Sequence, residues 1–242
     1  MPHRAAQRLL TQANKHDLSP EVVTKLARLL TALAAEPAPP TTVTDPAEAI
    51  DVHIADGLSG LEAPQLFEAT RIADLGAGAG FPGLVLAAAL PEAEVDLIES
   101  TARKCEVIAR LATAAGIDNA TAVPARAEEW AMSEGASRYE AVTARALSSL
   151  AVLAEYAAPL MEIDGTLIAW KGARDPEEEQ AGAAAAGLLG LTAHLPIPVR
   201  PFKGSRERNL YIYTKTAPTP ARFPRRPGMA TKRPLSHGSP LN

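Results

Sequence analysis

Between Asp74 and Gly83 the chain reads Asp-Leu-Gly-Ala-Gly-Ala-Gly-Phe-Pro-Gly, straight after the run Arg-Ile-Ala-Asp-Leu at 71–75 and straight before the apolar stretch 84–90. Few architectures let a strand feed a helix through so glycine-rich a turn. The turn must bend sharply and leave its backbone open to a ligand, which glycine permits because it has no Cβ. The helix that follows points free N–H groups and a positive dipole end at the turn. Such a unit belongs at the head of a doubly wound α/β sheet, where nucleotide-like ligands approach the backbone.

The rest of the chain fits that sheet. Strand candidates are 71–75, 94–98, 120–123, 139–143, 165–170, about 194–200 and 209–214, with helices between them, notably 101–115, ended by Gly116, and 148–160. Strands alternating with helices imply right-handed crossovers and a parallel sheet. The gap before 209–214 is short and holds Gly204-Ser205, so the last strand is expected to return antiparallel. Seven strands ending in an antiparallel pair is the methyltransferase variant of the doubly wound sheet.

Ahead of the sheet, 3–13 and 20–35 read as helices. Ser19-Pro20-Glu21 supplies an N-cap with Pro at the first helical position, and Leu26, Leu29, Leu30 and Leu33 recur at helical spacing. Pro37, Pro39 and Pro40 end that helix. Asp45-Pro46 opens another, carrying Ile50, His53, Ile54 and Leu58. Three regions are therefore expected: a helical N-terminal appendage at 1–65, a sheet domain at 66–218 and an extended arm at 219–242.

Charge separates the arm from the body. The net charge is -4, yet the segment from Lys203 onward has nine Lys/Arg and one acid. A basic tail on an acidic body suggests a polyanionic partner. Arg222, Arg225, Arg226, Lys232 and Arg233 would follow a phosphate backbone, and deleting 219–242 should leave ligand affinity at the glycine loop intact while weakening binding to the polyanion and flattening its salt dependence. The single cysteine, Cys105, excludes a disulfide framework and suits a reducing cytoplasm. It is expected in the core. No stretch has the length and apolarity of a membrane span, the N-terminus lacks a signal-peptide pattern, the five histidines show no metal-ligand spacing, and nothing requires more than a monomer.

Chemistry is expected at the carboxyl ends of the strands. Glu99, 23 residues beyond Gly76, ends the second strand, where a carboxylate can accept both hydroxyls of an adenosine ribose. Asp74, two residues before Gly76, would repel the pyrophosphate of a dinucleotide but suits the ammonium and sulfonium of S-adenosylmethionine. Gly76, Gly78 and Phe81 form the loop. Arg126-Ala127-Glu128 follows the third strand, where an adenine ring commonly lies. Arg145 follows the fourth strand and Lys171 the fifth, both placed to meet cofactor or substrate. No Asn/Asp-Pro-Pro-aromatic run, the mark of many amine methylases, follows the fourth strand, and no cysteine faces the cleft. A ring nitrogen such as guanine N7, which has an exposed lone pair and needs no base, fits these absences.

Taken as a set, these residues resemble the bacterial 16S ribosomal RNA (guanine-N7) methyltransferase G family, also called glucose-inhibited division protein B. The resemblance runs through His53-Ile54-Ala55-Asp56, Asp74–Gly83, Leu97-Ile-Glu-Ser100, Arg126-Ala-Glu128, Val142-Thr-Ala-Arg-Ala146, Lys171-Gly172, Arg208–Lys215, Thr219-Pro220, Pro224–Gly228 and Lys232-Arg-Pro-Leu235. It implies a Rossmann-like class I S-adenosylmethionine-dependent methyltransferase fold, cofactor contacts at Gly76, Phe81, Ala127, Glu128 and Arg145, and a guanine of 16S rRNA in the small ribosomal subunit as substrate. The chain departs at Gly57, where the family usually has Ser, and over 1–44, which lack the usual Trp-Asn segment; both bear on the substrate side. The competing classes are an NAD-dependent oxidoreductase and a non-catalytic RNA- or ribosome-binding protein.

Overall fold

The apolar runs from Arg71 onward form one sheet: β1 (Arg71–Leu75), β2 (Glu94–Ile98), β3 (Ala120–Val123), β4 (Tyr139–Arg145), β5 (Met161–Lys171), β6 (Leu191–Ala193), β7 (Ile197–Val199) and β8 (Arg208–Lys215). This computed structural model describes residues 2–43 and 45–235. Hydrogen-bonded neighbours run β3-β2-β1-β4-β5-β8-β6, and β7 also pairs with β8. β1 to β5 are mutually parallel, and β8 runs antiparallel to β5, β6 and β7. The expected sixth strand is present in two pieces. Pro196 and Pro198 have no N–H to give a ladder, and they lie on the sheet edge, where proline is tolerated.

Alternate residues of each strand point to opposite faces, and each face has its own core. Ile72, Val95, Leu97, Ala141 and Ile168 pack with α1 (His3–Lys15), α2 (Pro20–Ala35), α6 (Gly83–Ala89) and α7 (Ala102–Ala115). Ala73, Ile98, Val142, Leu167 and Tyr213 pack with α9 (Leu150–Ala157) and α10 (Pro176–Leu189). The N-terminal helices are thus part of a layer and not a separate appendage. The Leu26, Leu29, Leu30 and Leu33 stripe of α2 is buried in the same cluster as Val107, Ile108 and Leu111 of α7. Ser19 caps α2 by accepting from Val22 N–H, and Gly116 ends α7 in the left-handed conformation. Among the described residues no helix is long and apolar enough to cross a membrane.

The helix opened by Asp45 is continuous but irregular. Its pieces are α3 (Pro46–Ala49), a π-helical stretch (Ile50–Ala55), α4 (Asp56–Leu58) and a 3-10 turn (Ser59–Glu62). A π-turn inserts an extra residue per turn, and such turns cluster at functional sites. This one carries His53, and Asp56 follows directly after it. After Glu62 comes α5 (Pro64–Glu68), which leads into β1. Gly57 is buried against Val85 of α6, where a Cβ would come within 3.1 Å of the valine Cβ. Gly57 thus stands at a close helix contact with α6.

The expected extended arm folds back over residues 219–235. It contains α11 (Met229–Lys232), and Phe223, Ala230 and Leu235 are buried. Arg225 pairs with the buried Glu155 of α9, which removes it from the set expected to meet phosphate. Arg222, Arg226, Lys232 and Arg233 remain exposed. The final stretch of the arm, 236–242, lies outside the described residues.

Gly60 shows how tightly the N-terminal layer meets the sheet. A Cβ there would stand 2.4 Å from Cζ2 of Trp170 on β5, and that ring is buried. Gly60→Ala is expected to cost about 1–3 kcal/mol of stability through overpacking, measured by urea unfolding; an unchanged midpoint would mean the two layers give easily.

Candidate active-site cleft

The order of strands reverses between β1 and β4, and the crevice at their carboxyl ends is where sheets of this kind take ligands. A cleft of about 830 Å³ opens there. Gly76, Gly78, Phe81, Glu99, Ala127, Glu128, Arg145 and Lys171 all line it. Asp74 does not. Its carboxylate is fully buried beneath the loop, accepting from Gly83 N–H at 2.9 Å and from the Thr143 hydroxyl at 2.9 Å. The expectation that it faces a ligand's positive charge is therefore corrected: it joins the end of β1 to the start of α6 and to β4. Burial pushes its pKa up to about 6, against the opposing hydrogen bonds from Thr143 and Gly83.

The loop is built around this carboxylate. Gly83 is needed for close approach, since a Cβ would lie 2.7 Å from Leu97 and 2.9 Å from Asp74 Oδ2. Gly78 has φ +59°, and a Cβ there would meet only the Gly76 carbonyl oxygen, at 3.7 Å. Gly76 N–H donates to the Ile98 carbonyl at 2.9 Å, tying the loop to β2. One residue later Glu99 accepts from Gly78 N–H at 3.1 Å and from Thr101 N–H at 2.9 Å, with Lys104 at 3.7 Å. Burial alone would raise the Glu99 pKa, but these donors and the Lys104 charge outweigh it and hold the pKa below the usual value. Glu99 is therefore an ionised acceptor on the cleft wall. Cys105 is in the core as expected, its thiol donating to the Glu99 carbonyl at 3.2 Å.

The two cations expected at the reaction centre border the cleft, but both have partners. Arg145 donates to the Val52 carbonyl at 2.6 Å and to Asp56 at 2.9 Å. Lys171 is 2.6 Å from Glu178 and donates to the Ser148 carbonyl at 3.2 Å. Half-buried charges take counter-charges because desolvation is costly. After Arg145 the chain turns through Ala146 at φ +52°, a conformation uncommon outside glycine, and sets the exposed Leu147 over Gly76. The third-strand wall is Arg126-Ala127-Glu128 at the start of α8 (Ala127–Trp130). First-turn N–H groups there have no intrahelical acceptor, and the Glu128 carboxylate is buried, accepting from Gly228 N–H at 2.8 Å.

Residue-level reasoning left four cleft groups without a role. His53 stacks on Phe81 with ring centroids 4.3 Å apart and planes 11° apart. Burial, then the neighbouring Arg145 charge, lowers its pKa to about 4 against the pull of Asp56, so it is neutral at physiological pH. Asp56 accepts from both Arg145 and Arg208, the latter at 3.1 Å. Tyr156 of α9 completes the Glu128 side. His53 and Asp56, three residues apart on a helix, and Arg208 were marked only by the family resemblance; Tyr156 had no signal in the sequence.

A mixed sheet whose last strand inserts antiparallel beside β5, with a glycine loop after β1 and an acid after β2, defines a Rossmann-like class I methyltransferase. Solved structures agree on the fold. The chain matches a predicted O-methyltransferase from Agrobacterium tumefaciens at 27% identity and TM-score 0.52, over 67% of this chain and 81% of that one. It matches Aeropyrum pernix fibrillarin at 16% identity and TM-score 0.50, over 66% and 73%. The family profile of rRNA small subunit methyltransferase G (GidB) matches residues 25–198. Proteins named ribosomal RNA small subunit methyltransferase G are similar in sequence: that of Rubrobacter xylanophilus is 40% identical over 77% of this chain and 73% of its own, and that of Pelotomaculum thermopropionicum 37% identical over 81% and 82%. The chain belongs to the rRNA small subunit methyltransferase G family.

The Asp74 environment gives a pH test. With its pKa raised from 3.8 to about 6, the folded chain holds this proton more tightly than the unfolded chain, so stability falls as pH rises from about 4 to about 6. Asp74→Asn keeps an acceptor and stays neutral. Its stability relative to the parent should climb across that interval, by up to about 3 kcal/mol at 1.36 kcal/mol per pK unit, and level off above pH 7. A pH-independent difference in urea midpoint would contradict the raised pKa.

Proposed function

We propose that the cleft binds S-adenosylmethionine and that the chain transfers its methyl group to N7 of a guanine in 16S ribosomal RNA. The observation that carries this reading is Glu99. It is an ionised carboxylate at the end of β2, hydrogen-bonded to the glycine loop and facing the same cleft as Ala127, Glu128 and Arg145, in a chain of this family. The residues fit the cofactor by their chemistry. Gly78, on the cleft wall and without a Cβ, lets the ligand reach the backbone, Glu99 accepts from the ribose hydroxyls, the start of α8 with Ala127 and Glu128 reads the adenine, and Gly76 and Phe81 border the amino-acid end. Bound there, S-adenosylmethionine supplies an electrophilic methyl group.

The chain's own residues then bind and orient. Guanine N7 has its lone pair available, so no side chain has to remove a proton, and placement and electrostatics suffice. Neutral His53 and Phe81 offer a stacked aromatic pair at the substrate edge. Asp56, shared by Arg145 and Arg208, fixes that edge while leaving it cationic, which suits RNA phosphate. Lys171 adds positive charge on the β5 side, moderated by Glu178. Asp74 acts through the loop as a positioning residue. The exposed Arg222, Arg226, Lys232 and Arg233 extend the phosphate-binding surface. A ribosomal substrate places this activity in the cytoplasm, and one chain suffices for it.

Two measurements test the reading. S-adenosylhomocysteine at about a hundred times its Kd should stabilise the chain by about 2.7 kcal/mol and raise Tm by several degrees, whereas NADH should not; the reverse would favour the oxidoreductase class. Glu99→Ala should raise the Kd for S-adenosylhomocysteine by roughly ten- to a hundredfold, the loss of hydrogen bonds to a charged acceptor, and should slow transfer of a radiolabelled methyl group to 30S particles. An effect below twofold in calorimetry would remove Glu99 from the site.

A further inference from the structure

The segment after β8 makes contacts that its positive charge does not explain. Arg225 grips Glu155 through Nε at 2.8 Å and through Nη2, and its own N–H reaches the same carboxylate at 3.3 Å. Glu155 is 1% exposed, so its carboxylate is withdrawn from water, while the Arg225 side chain is only partly buried. Three residues on, Gly228 N–H donates to Glu128 on the cleft wall. The Tyr156 hydroxyl, also at the cleft, is 3.1 Å from the Thr231 hydroxyl. Phe223, Ala230 and Leu235 seal the segment to the core around α9. Two of the residues on the third-strand side of the cleft are thus held from behind by a segment about seventy to a hundred residues away in sequence.

We propose that residues 222–235 are a positioning element of the cofactor site: the Glu155–Arg225 pair locks the segment onto α9, and the locked segment holds Glu128 and Tyr156 against the ligand. The inference rests on the assignment of the cleft as the cofactor site. Removing one partner of a buried pair strands the other in a desolvated place, so the lock is all-or-none in character. Released, the segment would leave Glu128 without its Gly228 donor and free to turn out of the wall. Coupling of this kind is reciprocal: if the segment supports the ligand, the ligand must tighten the segment.

That reciprocity supplies the test on the unaltered, full-length chain. Amide hydrogen exchange is followed with and without saturating S-adenosylhomocysteine. The expected result is exchange about tenfold slower at Gly228 and its neighbours, together with slowing in the glycine loop 76–80. Slowing in the loop with no change across 222–235 overturns the positioning role and leaves the cofactor site standing. No slowing in either place overturns the cofactor assignment itself. Alongside, Arg225→Ala should raise the Kd for S-adenosylhomocysteine about tenfold at a temperature where its circular dichroism matches the parent. Rescue should be partial in Arg225→Lys, which keeps the charge without the two-pronged geometry. A folded Arg225→Ala that binds with the parent Kd contradicts the proposal. If that variant does not fold, the exchange experiment decides.

Discussion

Asp74, next to last in β1, has no solvent contact, and its two oxygens divide between the N–H that opens α6 and the Thr143 hydroxyl on β4. Three elements that meet at the reversal of strand order are joined through one carboxylate. Burial works against its charge, yet the arrangement leaves the glycine loop with a fixed path. Gly83 can be nothing larger, Gly76 is pulled onto β2, and Gly78 is left facing the cleft and bonded to Glu99. The cleft wall is supported from beneath, by a carboxylate that does not line the cleft.

The remaining walls come from the two ends of the chain. The N-terminal layer brings His53 and Asp56 to the mouth through a π-turn, and Asp56 gathers Arg145 from β4 and Arg208 from β8. The C-terminal segment stands behind Glu128 and Tyr156. In this chain the terminal regions complete the crevice around the glycine loop. The proposed substrate edge and the proposed adenine edge are built from opposite ends of the chain.

Much of this was legible in the residues. β1, β2 and β3 fall where apolar runs bounded by Gly, Pro and Asp place them, and α2 begins where Ser19-Pro20 signals it. The cleft residues from Gly76 to Lys171 were found because strand ends in a doubly wound sheet share one rim. Asp74 was placed there too, and wrongly, because sequence gives a residue's position at the strand end but not the side to which a buried carboxylate turns. The C-terminal arm was read from its composition, rich in Pro and Arg, as extended. Composition did not reveal that Glu155, an acid on an otherwise apolar helix, needs a buried partner and finds it in Arg225. The division of the sixth strand and the π-turn depend on tertiary pairing and insertion, which no local pattern announces.

The function proposed for this crevice is methylation of a guanine of small-subunit rRNA at N7. Nucleoside mass spectrometry of 16S rRNA, from cells with and without the protein, addresses it most directly. 7-Methylguanosine is expected to fall by one residue per 16S molecule when the protein is absent and to return when it is restored. An unchanged 7-methylguanosine content, or the loss of a different methylated nucleoside, would contradict it.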